Sequence, residues 1–192
     1  KDRCPDINFV FDYGVREKGV YPSSVDQNQV YSCKEIIKWE VAGDGSDWAL
    51  VKLDRKVEDR KPVGVSPSSY LLKFFSNITV IGHPSGLPTK IGAGSVRDLS
   101  PTKYFTASID TFGGNSGSGV FNSMTGLLEG VLVRGEKDYH RPDGESCDRV
   151  YKCGDSGCRG EDITKSSAFI ENLRAELIRA ELEEVLDGIA QF

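Results

Sequence analysis

Short apolar runs separated by polar, turn-rich stretches fill the first 134 residues of this 192-residue chain. Residues 9–13, 35–41 and 48–53 read as three strands, and 78–81, 90–96, 104–109, 119–122 and 127–134 as five more. Clusters of Gly, Pro, Ser, Asn and Asp bound them, which is the pattern of an all-β protein. Between the two groups, 59–69 is polar and carries prolines, as a connection between two units would. Past Gly160 the period changes. Phe169, Ile170, Leu173, Leu177, Leu182, Val185, Leu186 and Ile189 recur at roughly helical spacing, with Ser167 placed to cap the helix. No internal repeat interrupts this order.

Length and composition narrow the classes. The chain suits one globular unit or two small barrels sharing an interface. With 38% hydrophobic residues it can bury a core. A net charge of −5 and the lack of a basic stripe with interleaved aromatics argue against a nucleic-acid partner. No apolar run approaches the ~20 residues of a membrane-spanning helix. Five cysteines, Cys4, Cys33, Cys147, Cys153 and Cys158, leave one over if the others pair. The dense run of Cys147, Cys153 and Cys158 suggests a disulfide-stapled loop and an exported compartment. Zinc held with help from His140 is the competing reading, although the spacing is not Cys-x2-Cys. Spacing does not give the connectivity.

Gly113-Gly114-Asn115-Ser116-Gly117-Ser118 carries the most chemistry. A serine hydroxyl becomes nucleophilic when a base takes its proton, and the developing oxyanion needs backbone N–H donors aimed at it. Glycines around Ser116 allow backbone angles closed to other residues and let a substrate carbonyl approach the Gly114 and Ser116 amides. The bland reading is a hairpin loop, common in any β protein. Asp47 adds weight to the first reading: it follows the turn-like Gly43-Asp44-Gly45-Ser46 and heads the apolar strand Trp48-Ala49-Leu50-Val51-Lys52-Leu53.

Together, Asp47 upstream and Gly-Asn-Ser116-Gly downstream resemble the trypsin/chymotrypsin-like serine peptidases, in particular the bacterial branch near the glutamyl endopeptidases. The likeness extends through Val80-Ile81-Gly82-His83-Pro84 and through Glu129-Gly130-Val131-Leu132-Val133-Arg134-Gly135. It implies two antiparallel β-barrels of the six-stranded type, the first incomplete, and a C-terminal α-helix. The corresponding division is 1–70 for the remainder of the first barrel and the connection, 71–165 for the second barrel, and 166–192 for an amphipathic helix. It also implies a secreted or periplasmic peptidase acting on polypeptides without metal or organic cofactor, with Ser116 as nucleophile, Asp47 as the group orienting a histidine, and Gly114 and Ser116 as the oxyanion hole.

The family order is His, Asp, Ser, and no histidine precedes Asp47. His83 reads as a structural turn residue and His140 as a solvated loop residue. The resemblance therefore implies a chain truncated at its N-terminus, with the catalytic His on a missing segment beside a cysteine that would pair with Cys4. Cys4 is then the thiol left over.

For specificity, the resemblance places Asp110, six residues before Ser116, at the base of the primary pocket, which points to cleavage after basic residues. Asp110 can equally serve its own turn. Thr111 matches a pocket position of the glutamyl branch, but Leu132 stands where that branch carries a His. Leu132, Val133 and Arg134 form the expected substrate-binding strand. Two other classes remain: a pseudopeptidase acting as a binding scaffold, and a β-sandwich interaction module in which the serine turn is coincidental.

Overall fold

The computed structural model describes residues 4–68, 71–154 and 157–190. β1 (Asn8–Val10), β2 (Val30–Val41) and β3 (Asp47–Leu53) form an open antiparallel sheet in that order. β4 (Asn77–Gly82), β5 (Lys90–Asp98), β6 (Tyr104–Ala107), β7 (Gly119–Asn122) and β8 (Leu128–Arg134) follow. β9 (Tyr139–His140) and β10 (Arg149–Val150) pair separately. β11 (Glu161–Lys165) then returns between β8 and β6 and closes a six-stranded antiparallel barrel in the order β11-β6-β5-β4-β7-β8. The chain continues into α1 (Ile170–Ala190). The all-β, trypsin-like architecture implied by the resemblance is the one found: a closed six-stranded barrel, an open three-stranded sheet and a terminal helix.

The closed barrel is filled by alternate residues of its strands. Ile78 and Val80 from β4, Val96, Phe105, Val120, Leu132 and Ile163 share one buried cluster. Each such side chain removed from water contributes about 1.5–3 kcal/mol. Trp48 of β3 packs on Phe169, with ring centroids 6.0 Å apart, which seats the start of α1 against the open sheet. Farther along, Leu177, Leu182 and Leu186 are exposed, and the side chains of Val185 and Ile189 lie outside the described residues.

Several expectations need correction. β2 starts at Val30, five residues earlier than the pattern suggests, because bulges between Cys33 and Glu35 and between Ile36 and Lys38 break its alternation. β11 escaped the pattern altogether: its buried positions include Asp162, Thr164 and Lys165, whose polarity hides a strand from a hydrophobic reading. Ser167 caps nothing; it lies inside a 3₁₀ turn, Ser166–Ala168, and α1 begins after Phe169. Cys4 is not the leftover thiol. Pairing of β1 with β2 brings it to a Cα–Cα distance of 5.1 Å from Cys33, and the two are disulfide-bonded. Cys153 bonds Cys158, and the free, exposed cysteine is Cys147. Two disulfides of this kind persist in oxidising compartments. Among the described residues, no helix is long and apolar enough to cross a membrane.

Candidate active site

The loop between β6 and β7 is held by a lattice of hydrogen bonds that uses alternate residues. Gly113 N–H donates to Asp138 Oδ2 at 2.7 Å, Asn115 N–H to Phe112 O at 3.3 Å, and Gly117 N–H to Leu132 O at 2.7 Å. Leu132 N–H donates back to Ser118 O at 2.9 Å, so both main-chain groups of Leu132 are engaged with the loop. Between these anchors, the N–H groups of Gly114 and Ser116 donate to no described residue. Gly114 has φ +83° and Gly117 φ +90°, in the left-handed region that glycine enters without strain. At Gly114 a Cβ would also stand 3.0 Å from Ser85 N, whose own N–H donates to Gly113 O at 2.8 Å.

Asn115 is buried between two exposed neighbours and faces inward. Its Nδ2 donates to Thr111 Oγ1, and its Oδ1 accepts from Ser118 Oγ at 2.7 Å. Thr111 is thereby part of the loop's own scaffold. Gly82 has ordinary backbone angles but no room, since a Cβ there would lie 1.9 Å from Ser118 Oγ. The Gly-His-Pro turn and the serine loop are thus packed backbone against side chain.

Ser116 is exposed, and its Oγ donates to Val133 O at 3.0 Å on β8. Asp47 lies at the first position of β3, where its N–H donates to Thr164 Oγ1 of β11 at 3.2 Å. Thr164 is paired with Val131 of β8. Asp47 and Ser116 are therefore linked through the β8–β11 ladder, two residues apart along β8. The Asp47 carboxylate accepts no hydrogen bond from a described residue. On either side of it, Ser46 Oγ and Trp48 Nε1 are buried without a partner.

A second network ties the turn before Asp47 to the barrel. Arg134 Nε donates to Asp162 Oδ2 at 2.9 Å, and its Nη2 to Gly45 O at 3.0 Å. Asp162, 3% exposed, also accepts from Thr106 Oγ1 at 3.1 Å and from Arg159. The charge of Arg134 is thus committed to Asp162. Leu132 lies in the barrel core.

Neither histidine hydrogen-bonds the serine. His83 Nδ1 is 3.0 Å from Leu87 O and its ring stacks on Tyr13, while His140 meets Tyr151 edge-on. Asp110 is exposed, engages no described residue, and lines a cavity of about 440 Å³ together with Thr111, Phe112, Asp138 and Glu161. Burial, reinforced by Asp138, raises the Glu161 carboxyl to about 7. Sequence reasoning missed Asp138, Glu161, Asp162 and Thr164. The last three lie on β11, Glu161-Asp162-Ile163-Thr164-Lys165, whose single apolar residue and unbroken burial from Asp162 onward gave no alternation to read.

The closed antiparallel barrel thus presents an exposed serine on a double-glycine loop, with an aspartate held against the same strand ladder. Residues 15–131, more than half of the chain, match the family model of the trypsin-like peptidase domain. The chain belongs to the trypsin-like peptidase domain family. No curated protein matches the sequence. Among solved structures, it is similar to the inactive form of a serine-to-alanine mutant of Rv3671c from M. tuberculosis, with 11% identity and TM-score 0.51, covering 78% of this chain and 66% of that one. It is also similar to the scabies mite inactivated protease paralogue S-I1, with 16% identity and TM-score 0.52 over 77% of this chain and 76% of that one. Kallikrein-related peptidase 10 has the same identity and TM-score, over 79% of this chain and 74% of its own. At these identities the likeness is one of fold.

Proposed function

We propose that this chain carries the nucleophilic half of an exported serine endopeptidase. Ser116 Oγ gives its proton to a histidine base as it attacks the peptide carbonyl carbon, and Asp47 holds that histidine in its working tautomer. The base returns the proton to the leaving amine, and water then hydrolyses the acyl-Ser116 ester. The observation that carries this reading is the alternation in the serine loop. The N–H groups of Gly113, Asn115, Gly117 and Ser118 are tied down, and those of Gly114 and Ser116 are left for an oxyanion. Losing one such donor typically costs ~10²–10³ in turnover.

The histidine is proposed to come from a segment outside the 192 residues, since His83 and His140 are engaged elsewhere. The polypeptide is proposed to lie along β8, whose Val133 carbonyl meets Ser116 Oγ. Preference for a basic residue before the scissile bond follows from the acids lining the adjoining cavity, Asp110 among them. Export accords with the two disulfides.

The second reading is a pseudopeptidase that binds through the same surface. The contact of Ser116 Oγ with a main-chain carbonyl, and not with a base, favours it. Assaying peptide hydrolysis by the 192-residue chain beside the complete natural protein separates these cases. Negligible turnover by the chain, and Ser116-dependent turnover by the complete protein, is expected. Turnover by neither supports the scaffold, and efficient hydrolysis by the 192-residue chain contradicts the need for an external base.

A further inference from the structure

The cavity beside the serine loop is bounded by two segments that also hold the loop. One is the stretch from Ser108 to Phe112 that leads into Gly113, and the other runs from Glu136 to Asp138 beyond the end of β8. Asp138 joins them, because its Oδ2 accepts the Gly113 N–H. The cavity thus adjoins the serine loop through Phe112 and Asp138. The far wall comes from β11 and the disulfide loop, through Glu161 and Cys158.

Glu161 is seated in an unusual way. Its carboxylate lies against the backbone of Gly135, where a Cβ would stand 1.9 Å from Oε2 and 2.0 Å from Oε1. No side-chain donor among the described residues meets it; it has only a main-chain interaction with Glu136. The cations nearby are otherwise occupied or outward. Arg159 is paired with Asp162, Arg97 donates to Cys158 O, and Lys137 and Lys152 are exposed. Asp138 faces it as a like charge whose effect on Glu161 exceeds the opposing one of Arg159, in a partly desolvated place. Asp110, by contrast, is exposed and opens equally onto a second, apolar cavity lined by Leu87, Ile91 and Tyr139.

We propose that Glu161, and not Asp110, is the specificity-determining carboxylate of this site, and that it recognises a guanidinium or ammonium side chain entering the cavity. The proposal rests on the peptidase reading for its location but not for its test. A cation placed between Glu161 and Asp138 relieves their repulsion and forms charge-assisted hydrogen bonds to a carboxylate lacking a side-chain donor. The raised carboxyl of Glu161 adds a consequence. The site binds a cation with release of a proton, so affinity rises as pH passes upward through about 7. The charges acting on Glu161 are Asp138, Arg159 and Asp162, with Asp110, Glu136, Arg97, Lys137 and Lys152 around the same cavity. None of the basic or acidic ones among them has its ordinary titration range near 7.

The test is a binding titration that needs no catalytic base. N-acetylarginine amide and its neutral isostere N-acetylcitrulline amide are titrated into the protein at pH 8 and followed by amide chemical shifts. The arginine form is expected to bind about tenfold or more tightly than citrulline, with that preference lost in Glu161→Gln and changed by less than about threefold in Asp110→Asn. From pH 6 to pH 8 the arginine affinity of the unmutated protein should rise. Gly135→Ala supplies an independent variant. It pushes the flexible end of Glu161 off its seat while the backbone is spared, and should lose the preference as Glu161→Gln does. Equal binding of the two amides, or a preference that disappears with Asp110→Asn and survives Glu161→Gln, overturns the proposal. The peptidase reading fails separately. Arginine selection through Glu161 in a protein whose Ser116 never acylates leaves this inference standing, whereas an acylating Ser116 beside a cavity indifferent to charge removes the inference and leaves the peptidase.

Discussion

Glu161 shows how much of this site depends on single side chains that no hydrophobic pattern reveals. Its carboxyl, raised from 4.5 to about 7 chiefly by burial and next by Asp138, keeps its proton in the folded chain over a range where the unfolded chain has lost it. Folding is therefore progressively penalised as pH rises from about 4.5 to about 7, and the penalty is constant above that. Glu161→Gln removes it. We expect the variant to be more stable than the parent by about 1 kcal/mol at pH 8, a few degrees in Tm, the group being screened by water on its open side. The two should be indistinguishable at pH 4, and thermal melts at the two pH values decide it. A difference that does not vary with pH would contradict the assignment. Ser116 itself was legible because glycine spacing is a local signal. Asn115 was legible only as a loop residue, since its burial and its bonds to Thr111 and Ser118 depend on tertiary packing.

At the level of elements, β11 is the piece that joins the two halves of the site. It pairs with β8 on one side, supplies Thr164 to the Asp47 N–H, and carries Asp162 beneath Arg134. Through Arg134, Asp162 also grips the carbonyl of Gly45 in the turn that sets the entry of β3. The strands from β4 to β8 could be read from their apolar alternation. β11 could not, because its inward side chains are satisfied by hydrogen bonds instead of by burial among hydrocarbons, and β2 could be read only in part because its bulges shift the alternation. Replacing Asp162 by Ala leaves two arginines facing an empty acceptor site. Breaking a fully buried pair costs about 3–5 kcal/mol; here both guanidinium groups are about half exposed, so about 2 kcal/mol is expected. Denaturant unfolding gives that figure, and amide exchange gives the more specific sign. Gly45, Ser46 and Asp47 should exchange faster in Asp162→Ala beyond what the global loss explains, while the β4–β7 ladder follows global stability alone. Uniform acceleration would mean that Asp162 supports the barrel only.

The whole molecule is a closed barrel with an open three-stranded sheet beside it, whose central strand is tied to the turn before β1 by Cys4–Cys33. The family resemblance conveyed this plan well and the disulfide poorly, since the partner it supplied for Cys4 lies outside the sequence while the fold provides one inside. The same plan places Ser116 on the closed barrel and Asp47 on the open sheet, so the proposed chemistry requires both units to be held in register by β8 and β11. That an acyl-accepting serine results is the central claim. It is tested most directly by exposing the complete natural protein to a fluorophosphonate and locating the adduct by peptide mass mapping. The account predicts one phosphonyl group on Ser116, abolished by Ser116→Ala and by Asp47→Asn at neutral pH. An unmodified Ser116 in the folded, complete protein would contradict it and leave the molecule a binding scaffold.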